Sequence, residues 1–140
     1  MSGFLLDTNV ISELVKRRPE VKVTTWISMI DEELLYLSVL TLGEIRNGIA
    51  SLPATARRVA LEAWLDHDLA LRFSGRILPI AHDVADRWGR ISAAAEARKM
   101  VLPVIDGLLA ATALHHNLTV VTRNIGDIEP TGVPVFNPWL

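Results

Sequence analysis

The sequence predicts an α/β fold built on a mostly parallel sheet of four to five strands. Short apolar runs of strand length alternate along the chain with longer segments whose apolar residues recur at helical spacing. Such alternation favours parallel strands joined by right-handed helical crossovers. No internal repeat, low-complexity segment or linker interrupts the pattern. We therefore expect residues 1–140 to form a single domain with helices packed on a central sheet.

Five apolar segments carry the strand prediction. Four of them are predicted as strands, the first of them buried: Phe4–Leu6, Leu34–Val39, Ile77–Ile80 and Leu118–Thr122. A shorter fifth strand is expected over Val133–Phe136. Each segment is bounded by polar or turn-forming residues, as strands usually are.

The predicted helices occupy the segments between the strands. They are Thr8–Lys16, Val21–Ile30, Thr41–Ala50, Ala54–Leu71, Asp83–Lys99 and Val104–His116. Pro19 ends the first helix, and either Ser38 or Thr41 can cap the third. The last helix is apolar almost all the way round, which predicts an interior position. The segment Arg123–Pro130 is predicted as a loop.

Composition excludes several classes of protein. Half of the residues are hydrophobic, yet no apolar run approaches the roughly 18 residues that a membrane span requires. The chain has no cysteine, which excludes disulfides and thiolate metal sites and is compatible with a reducing cytoplasm. The early acid at position 7 argues against a signal peptide. The formal net charge of −2 is not that of a generic nucleic-acid binder.

Three carboxylates stand at the starts of predicted elements. Asp7 follows the first strand, where open α/β sheets keep their ligand crevice, although a helix cap explains it equally well. Glu44 lies away from the apolar stripe of its helix, and alone it fits an ordinary exposed glutamate. Asp106 lies in the most apolar helix, where a buried carboxylate needs a cap, a partner or a cation.

The segment after the fourth strand adds an amide, Asn124, and an acid, Asp127. Alone, these residues fit ordinary turn chemistry. Together with the three acids they form a set of hard oxygen ligands, which suits Mg²⁺ or Mn²⁺. The sequence contains no phosphate-binding loop, dinucleotide fingerprint, nucleophile elbow or zinc-protease motif that would compete with this interpretation.

The order of these motifs resembles the PIN-domain nucleases, in particular the VapC and FitB-like toxins of bacterial toxin–antitoxin pairs. The resemblance spans essentially the whole chain, and its last segment is similar to the FitB-type branch. The matching segments are Leu5–Glu13, Leu37–Gly48, Ile105–Ala113, Leu118–Asn124 and Val135–Trp139. The fold that it implies is a three-layer α/β/α sandwich with a central, mostly parallel sheet.

The resemblance also implies a function for the acids. In such proteins the acids that match Asp7, Glu44 and Asp106 hold Mg²⁺ or Mn²⁺ for the hydrolysis of RNA phosphodiester bonds. A fourth acid often stands at the position of Asn124, so this sequence departs from the acidic quartet there. The Asn124 carbonyl or the nearby Asp127 is then the candidate fourth ligand.

Other residues and partners follow from the same resemblance. Thr8 and Thr122 would orient the acids. Arg46 and Arg123 are candidate phosphate contacts, and equally candidates for surface or antitoxin-facing residues. The implied assembly is a homodimer, of higher order when bound to a DNA-binding antitoxin of the VapB or FitA kind. The expected location is the cytoplasm, with no membrane partner.

Two alternatives stay open from the sequence. The chain could be chiefly an interaction module that holds a DNA-binding antitoxin, with Asn124 marking a weakened nuclease site. It could also be a PIN nuclease for RNA maturation or for DNA.

Overall fold

A computed structural model describes residues 2–140 and confirms the α/β prediction. Five strands form one sheet in the order β3-β2-β1-β4-β5, and every neighbouring pair is parallel. The strands are β1 (Phe4–Leu6), β2 (Leu35–Ser38), β3 (Ile77–Leu78), β4 (Thr119–Val121) and β5 (Val135–Phe136). Because β1 lies at the centre, the residue that follows it opens at the middle of the carboxyl edge.

Helices cover both faces of the sheet and make the three layers that were expected. They are α1 (Thr8–Leu14), α2 (Val21–Met29), α3 (Val39–Ala50), α4 (Ala56–Ala63), α5 (Ala70–Arg72), α6 (His82–Ala97), α7 (Val104–His115) and α8 (Ile125–Ile128). A π-helical segment, Trp64–Leu69, joins α4 to α5, and short 3₁₀ segments occupy Glu32–Leu34 and Glu129–Thr131.

Alternate residues of the central strands point to opposite faces and build two core clusters. Leu6 and Val121 belong to the cluster beneath α1, α2 and α3, whereas Leu5 and Val120 belong to the cluster beneath α7 and α8. All four side chains are fully buried. This alternation holds β1 and β4 in register and presents their carboxyl ends side by side.

Several predicted boundaries were wrong. The segment Arg123–Pro130 is not a loop, because α8 and a 3₁₀ turn lie within it and Ile128 is fully buried. The third helix begins at Val39 rather than Thr41, since Ser38 caps it by accepting from the Leu40 backbone N–H at 3.0 Å. The first strand was predicted with its correct bounds, whereas the other four predicted strands were too long; pairing with its neighbour limits β3, for example, to two residues.

The last long helix is interior only in part. Its middle, from Leu109 to Ala113, is buried, as its apolar sequence predicted. Val104 and Ile105 in the first turn are 59% and 40% exposed, so the beginning of α7 opens to solvent beside Asp106. Within residues 2–140, no helix is both long and apolar enough to cross a membrane.

Candidate active site

Asp7 caps α1 and also contacts the segment that follows β4. The Thr8 backbone N–H donates to one carboxylate oxygen at 2.7 Å, and the Thr122 hydroxyl donates to the other at 2.8 Å. The side chain is only 8% exposed. The capping role proposed from the sequence is therefore confirmed, and the second contact joins Asp7 to a residue 115 positions away in sequence.

Glu44 reaches the same region from α3. It is half-buried rather than fully exposed, and its carboxylate accepts a 2.5 Å hydrogen bond from the Thr8 hydroxyl. Thr8 thus contacts two acids at once, Asp7 through its backbone and Glu44 through its side chain. The structure places Thr8 where a residue that orients both carboxylates would stand.

Asp106 lies in the first turn of α7 and does not cap it, because the cap position is Pro103 and no side chain bonds there. The pKa of Asp106 is raised to about 6, chiefly by burial and then by the charges of Asp7, Asp127 and Glu44, in that order. These charges act on Asp106 through space, so three acids from separate elements lie within electrostatic range of Asp106.

The segment after β4 approaches Asp7 through Thr122. The buried Thr122 hydroxyl accepts from the Asn124 backbone N–H at 3.0 Å while it donates to Asp7. The Asn124 side chain is exposed, as is Asp127. Of these two candidate fourth ligands, Asp127 carries the charge that acts on Asp106.

Sequence reasoning missed Asn9, which links α1 to the segment after β4. The Asn9 side-chain amide donates to the Thr122 hydroxyl oxygen and accepts from the Arg123 backbone N–H, both at 3.3 Å. The signal available in the sequence was the position of Asn9, which is two residues after Asp7 on a helix that faces the neighbouring strand. Asn9 therefore holds the β4 segment against Asp7.

A second missed residue, Glu13, is buried but serves a different purpose. Hydrogen bonds from Lys16 and from the Glu20 backbone N–H hold the pKa of Glu13 below its usual value, despite burial. Both carboxylate oxygens are occupied in this way, so Glu13 fixes the connection between α1 and α2.

The two arginines predicted as phosphate contacts have different surroundings. Arg46 forms an ion pair with Asp66 on the π-helical segment. Arg123 lies over the ring of Trp139, with its guanidinium carbon 5.3 Å from the ring centroid. Both side chains are exposed.

The donor set fits a hard divalent cation by its chemistry. Carboxylate and amide oxygens are what Mg²⁺ and Mn²⁺ prefer, and a cation would offset the repulsion that, after burial, contributes to the raised Asp106 pKa. No three acidic or imidazole side chains within residues 2–140 are close enough to enclose an ion at one point. The site thus has the charge for a cation without a closed ligand set. Beside it, a cavity of about 620 Å³ is lined in part by Thr8, Glu44 and Ile105.

The parallel sheet defines an α/β protein, and the acids at its carboxyl edge define a candidate site whose ligands are oxygen atoms. The family model for the PIN domain matches residues 4–126. The chain belongs to the PIN domain family.

Named relatives are similar over nearly the whole chain. VapC ribonuclease Y4jK from Sinorhizobium fredii is 38% identical over 135 residues, which cover 96% of each protein. Toxin FitB from Neisseria gonorrhoeae is 39% identical over 135 residues, which cover 96% of this chain and 97% of the toxin. A chain in the structure of FitAB bound to the IR36 DNA fragment is 37% identical with a TM-score of 0.93, covering 98% of this chain and 96% of that one.

Proposed function

We propose that the chain is a metal-dependent endoribonuclease and the toxin component of a toxin–antitoxin pair. The observation that carries the proposal is the grouping of four acids: Thr8 bonds both Asp7 and Glu44, and the charges of Asp7, Asp127 and Glu44 add to burial in raising the Asp106 pKa. Relatives named as a VapC ribonuclease and a FitB toxin support the substrate and the toxin role. A ribonuclease acting on the RNA of its own cell would work in the cytoplasm.

Asp7, Glu44 and Asp106 would hold Mg²⁺ or Mn²⁺ in this proposal, with Asp127 or Asn124 as the fourth ligand. When bound, the ion supplies an activated water and stabilises charge on the phosphoryl oxygens. Thr8 would keep the carboxylates of Asp7 and Glu44 in place through its two hydrogen bonds. The open first turn of α7 leaves room for an RNA strand to approach Asp106.

Thr122 is the second orienting residue. Its hydroxyl gives its proton to Asp7 and accepts from Asn9 and from the Asn124 backbone. All hydrogen-bonding capacity of this hydroxyl is therefore used within the protein. Thr122 would keep one Asp7 oxygen directed into the site while the ion binds.

The proposed partners follow from the relatives. A close structural match is a chain of FitAB, which is bound to a DNA fragment in that structure. We propose a DNA-binding antitoxin of the FitA or VapB kind as the partner, a homodimer as the assembled toxin, and residues 1–140 as one PIN domain. The five strands in one sheet support the last point.

Removal of divalent metal is the direct test of the proposed activity. The purified chain is expected to cleave RNA with Mg²⁺ or Mn²⁺, to stop when the ions are chelated with EDTA, and to recover when Mn²⁺ is returned. Gel analysis of transfer, ribosomal and messenger RNA and of single-stranded DNA measures both activity and substrate class. Cleavage that continues in EDTA would contradict the metal role, and cleavage of DNA alone would favour the DNA-nuclease alternative.

The fourth ligand can be tested by calorimetry with Mn²⁺. Asp127→Asn is expected to weaken Mn²⁺ binding by at least about 10-fold, because losing even a group that supports a ligand typically costs about 10- to 100-fold in affinity. Asn124→Ala is the matched comparison and should change the affinity much less, because Asn124 offers a neutral amide whereas Asp127 carries a charge that acts on Asp106. The reverse order would assign the ligand to Asn124.

The same titration addresses the interaction-module alternative. The exposed Asn124 in place of an acid, and the lack of a closed ligand set among residues 2–140, are the observations that favour it. No Mn²⁺ binding by the unmodified chain, together with tight binding of an antitoxin, would support that alternative over the nuclease.

A further inference from the structure

Arg123 differs from the paired arginines in having an aromatic rather than an acidic partner. Five other arginine side chains make ion pairs with carboxylates, as Arg46 does with Asp66. The Arg123 guanidinium lies instead over the Trp139 ring, and it forms no ion pair with a carboxylate of residues 2–140. Its planar set of N–H donors is therefore available to an anion.

The backbone of Arg123 is held close to the acidic centre, which is the candidate site that contains Asp7, Glu44, Asp106 and Asp127. Its N–H donates to the Asn9 side chain at 3.3 Å, and the preceding residue, Thr122, donates to Asp7 at 2.8 Å. Arg123 is thus one residue from a direct contact with an acid of the site. The backbone of Arg123 is therefore fixed beside the candidate site.

The segment that follows β5 holds Trp139 in place. The Thr122 backbone N–H donates to the Phe136 carbonyl at 3.0 Å. This bond holds the end of β5 against the residue that follows β4. Pro138 is buried, and the Trp139 backbone N–H donates to the Asn137 side chain at 2.8 Å. Trp139 itself is half-buried and packs on the first core cluster. The ring is therefore a fixed support for the Arg123 side chain.

Glu13 is an acid on which the Arg123 charge acts, and it leaves the Arg123 donors unoccupied. The pKa of Glu13 is lowered chiefly by its hydrogen bonds with Lys16 and the Glu20 backbone N–H, and least by the attraction between its charge and that of Arg123. Both Glu13 oxygens are nevertheless taken by Lys16 and by the Glu20 backbone N–H. The attraction can therefore orient the guanidinium and still leave its N–H donors free to bind an anion.

We infer that Arg123, whose guanidinium lies over the Trp139 ring, binds a phosphodiester group of the RNA strand beside the acidic centre. The guanidinium fork matches two phosphate oxygens, and contact with the indole ring reduces the freedom lost on binding. In this arrangement Arg123 is the substrate contact, and Trp139 is a positioning residue that acts through it. The inference rests on the proposed function, because it assigns a subsite for the same substrate.

The salt dependence of RNA binding tests the phosphate contact. A short single-stranded oligoribonucleotide is titrated in EDTA into the Asp106→Asn protein, which separates binding from cleavage. Arg123→Ala is expected to weaken binding about tenfold at low salt. It should also reduce the slope of log affinity against log salt by about 0.7, the effect of one phosphate contact on a single strand. Arg90→Ala, which removes an exposed arginine paired with Asp86, is the matched control and should leave the slope unchanged.

Substitution of Trp139 tests its positioning role. Trp139→Leu is expected to weaken RNA binding several-fold, whereas Trp139→Phe, which keeps a ring, should restore most of the affinity. In the Arg123→Ala background, Trp139→Leu should have no further effect, because the residue it positions is gone. Thermal unfolding of each variant identifies any loss of folded protein.

The possible results separate this inference from the proposed function. An unchanged salt slope in Arg123→Ala overturns the phosphate contact, and additive effects of the two substitutions overturn the positioning role of Trp139. RNA cleavage by the unmodified chain tests the nuclease assignment alone. If the chain binds RNA with the expected Arg123 dependence but does not cleave it, the subsite stands and the nuclease proposal fails.

Discussion

The Asp106→Asn substitution is expected to lower the rate of RNA cleavage by about a thousandfold or more. Removing a ligand of the proposed ion forfeits several kcal/mol of transition-state stabilisation, and about 4 kcal/mol corresponds to that factor. Single-turnover cleavage of a labelled RNA in Mn²⁺ measures the effect. Asp86→Asn makes the same chemical change at an exposed acid of α6 and should leave the rate unchanged. Equal rates for the Asp106 variant and the unmodified chain would contradict the proposed site.

Protein stability provides the folding control for this variant. The folded-state pKa of Asp106 is raised from 3.8 to about 6, so the folded protein binds a proton more readily than the unfolded chain between these values. The metal-free protein should therefore gain stability from this group as the pH falls from 7 towards 4. Asp106→Asn removes the charge and with it this part of the pH dependence. Thermal unfolding at several pH values measures this change. At pH 7 the variant is expected to be folded and at least as stable as the unmodified chain.

Substitutions of Asp7 should separate its structural role from its proposed chemical one. Asp7→Ala removes the acceptor for the Thr8 backbone N–H and leaves the buried Thr122 hydroxyl without its acceptor. The lost cap and the unsatisfied hydroxyl together should cost about 2–4 kcal/mol of unfolding free energy. Asp7→Asn keeps one acceptor oxygen and should cost less. Both variants are expected to lose RNA cleavage, because neither retains a carboxylate.

Urea unfolding of the metal-free variants measures these differences. Asp31→Ala is the matched control, because Asp31 caps the 3₁₀ segment Glu32–Leu34 at an exposed position. Its loss should cost less than Asp7→Ala, since no buried group is left unsatisfied. Equal stability of Asp7→Ala and the unmodified chain would show that the two hydrogen bonds contribute little.

The α8 region shows why part of the fold could not be predicted. Asn124, Gly126, Asp127 and Pro130 are residues typical of turns, so local propensity favoured a loop. The structure forms a helix there because Ile128 packs into the second core cluster and is fully buried. Packing against distant parts of the chain overrides local preference in a segment this short.

The arginines illustrate the same limit for the site. Sequence could name Arg46 and Arg123 as possible phosphate contacts but could not distinguish them. Their partners, Asp66 and Trp139, lie on other elements and become neighbours only when the chain folds. The raised pKa of Asp106 has a similar origin, because three of its causes are acids elsewhere in the sequence.

The sequence by itself determined the parallel α/β class and the elements that carry the candidate acids, because these depend on local periodicity and on residues next to strand ends. Tertiary structure decided which polar groups meet. From the sequence, Asp7 fitted a helix cap and a site residue equally well. In the folded protein it caps α1 and accepts a hydrogen bond from the Thr122 hydroxyl, and its charge helps to raise the pKa of Asp106. Contacts across more than a hundred residues depend on the register of β1 against β4, which only the packed sheet establishes.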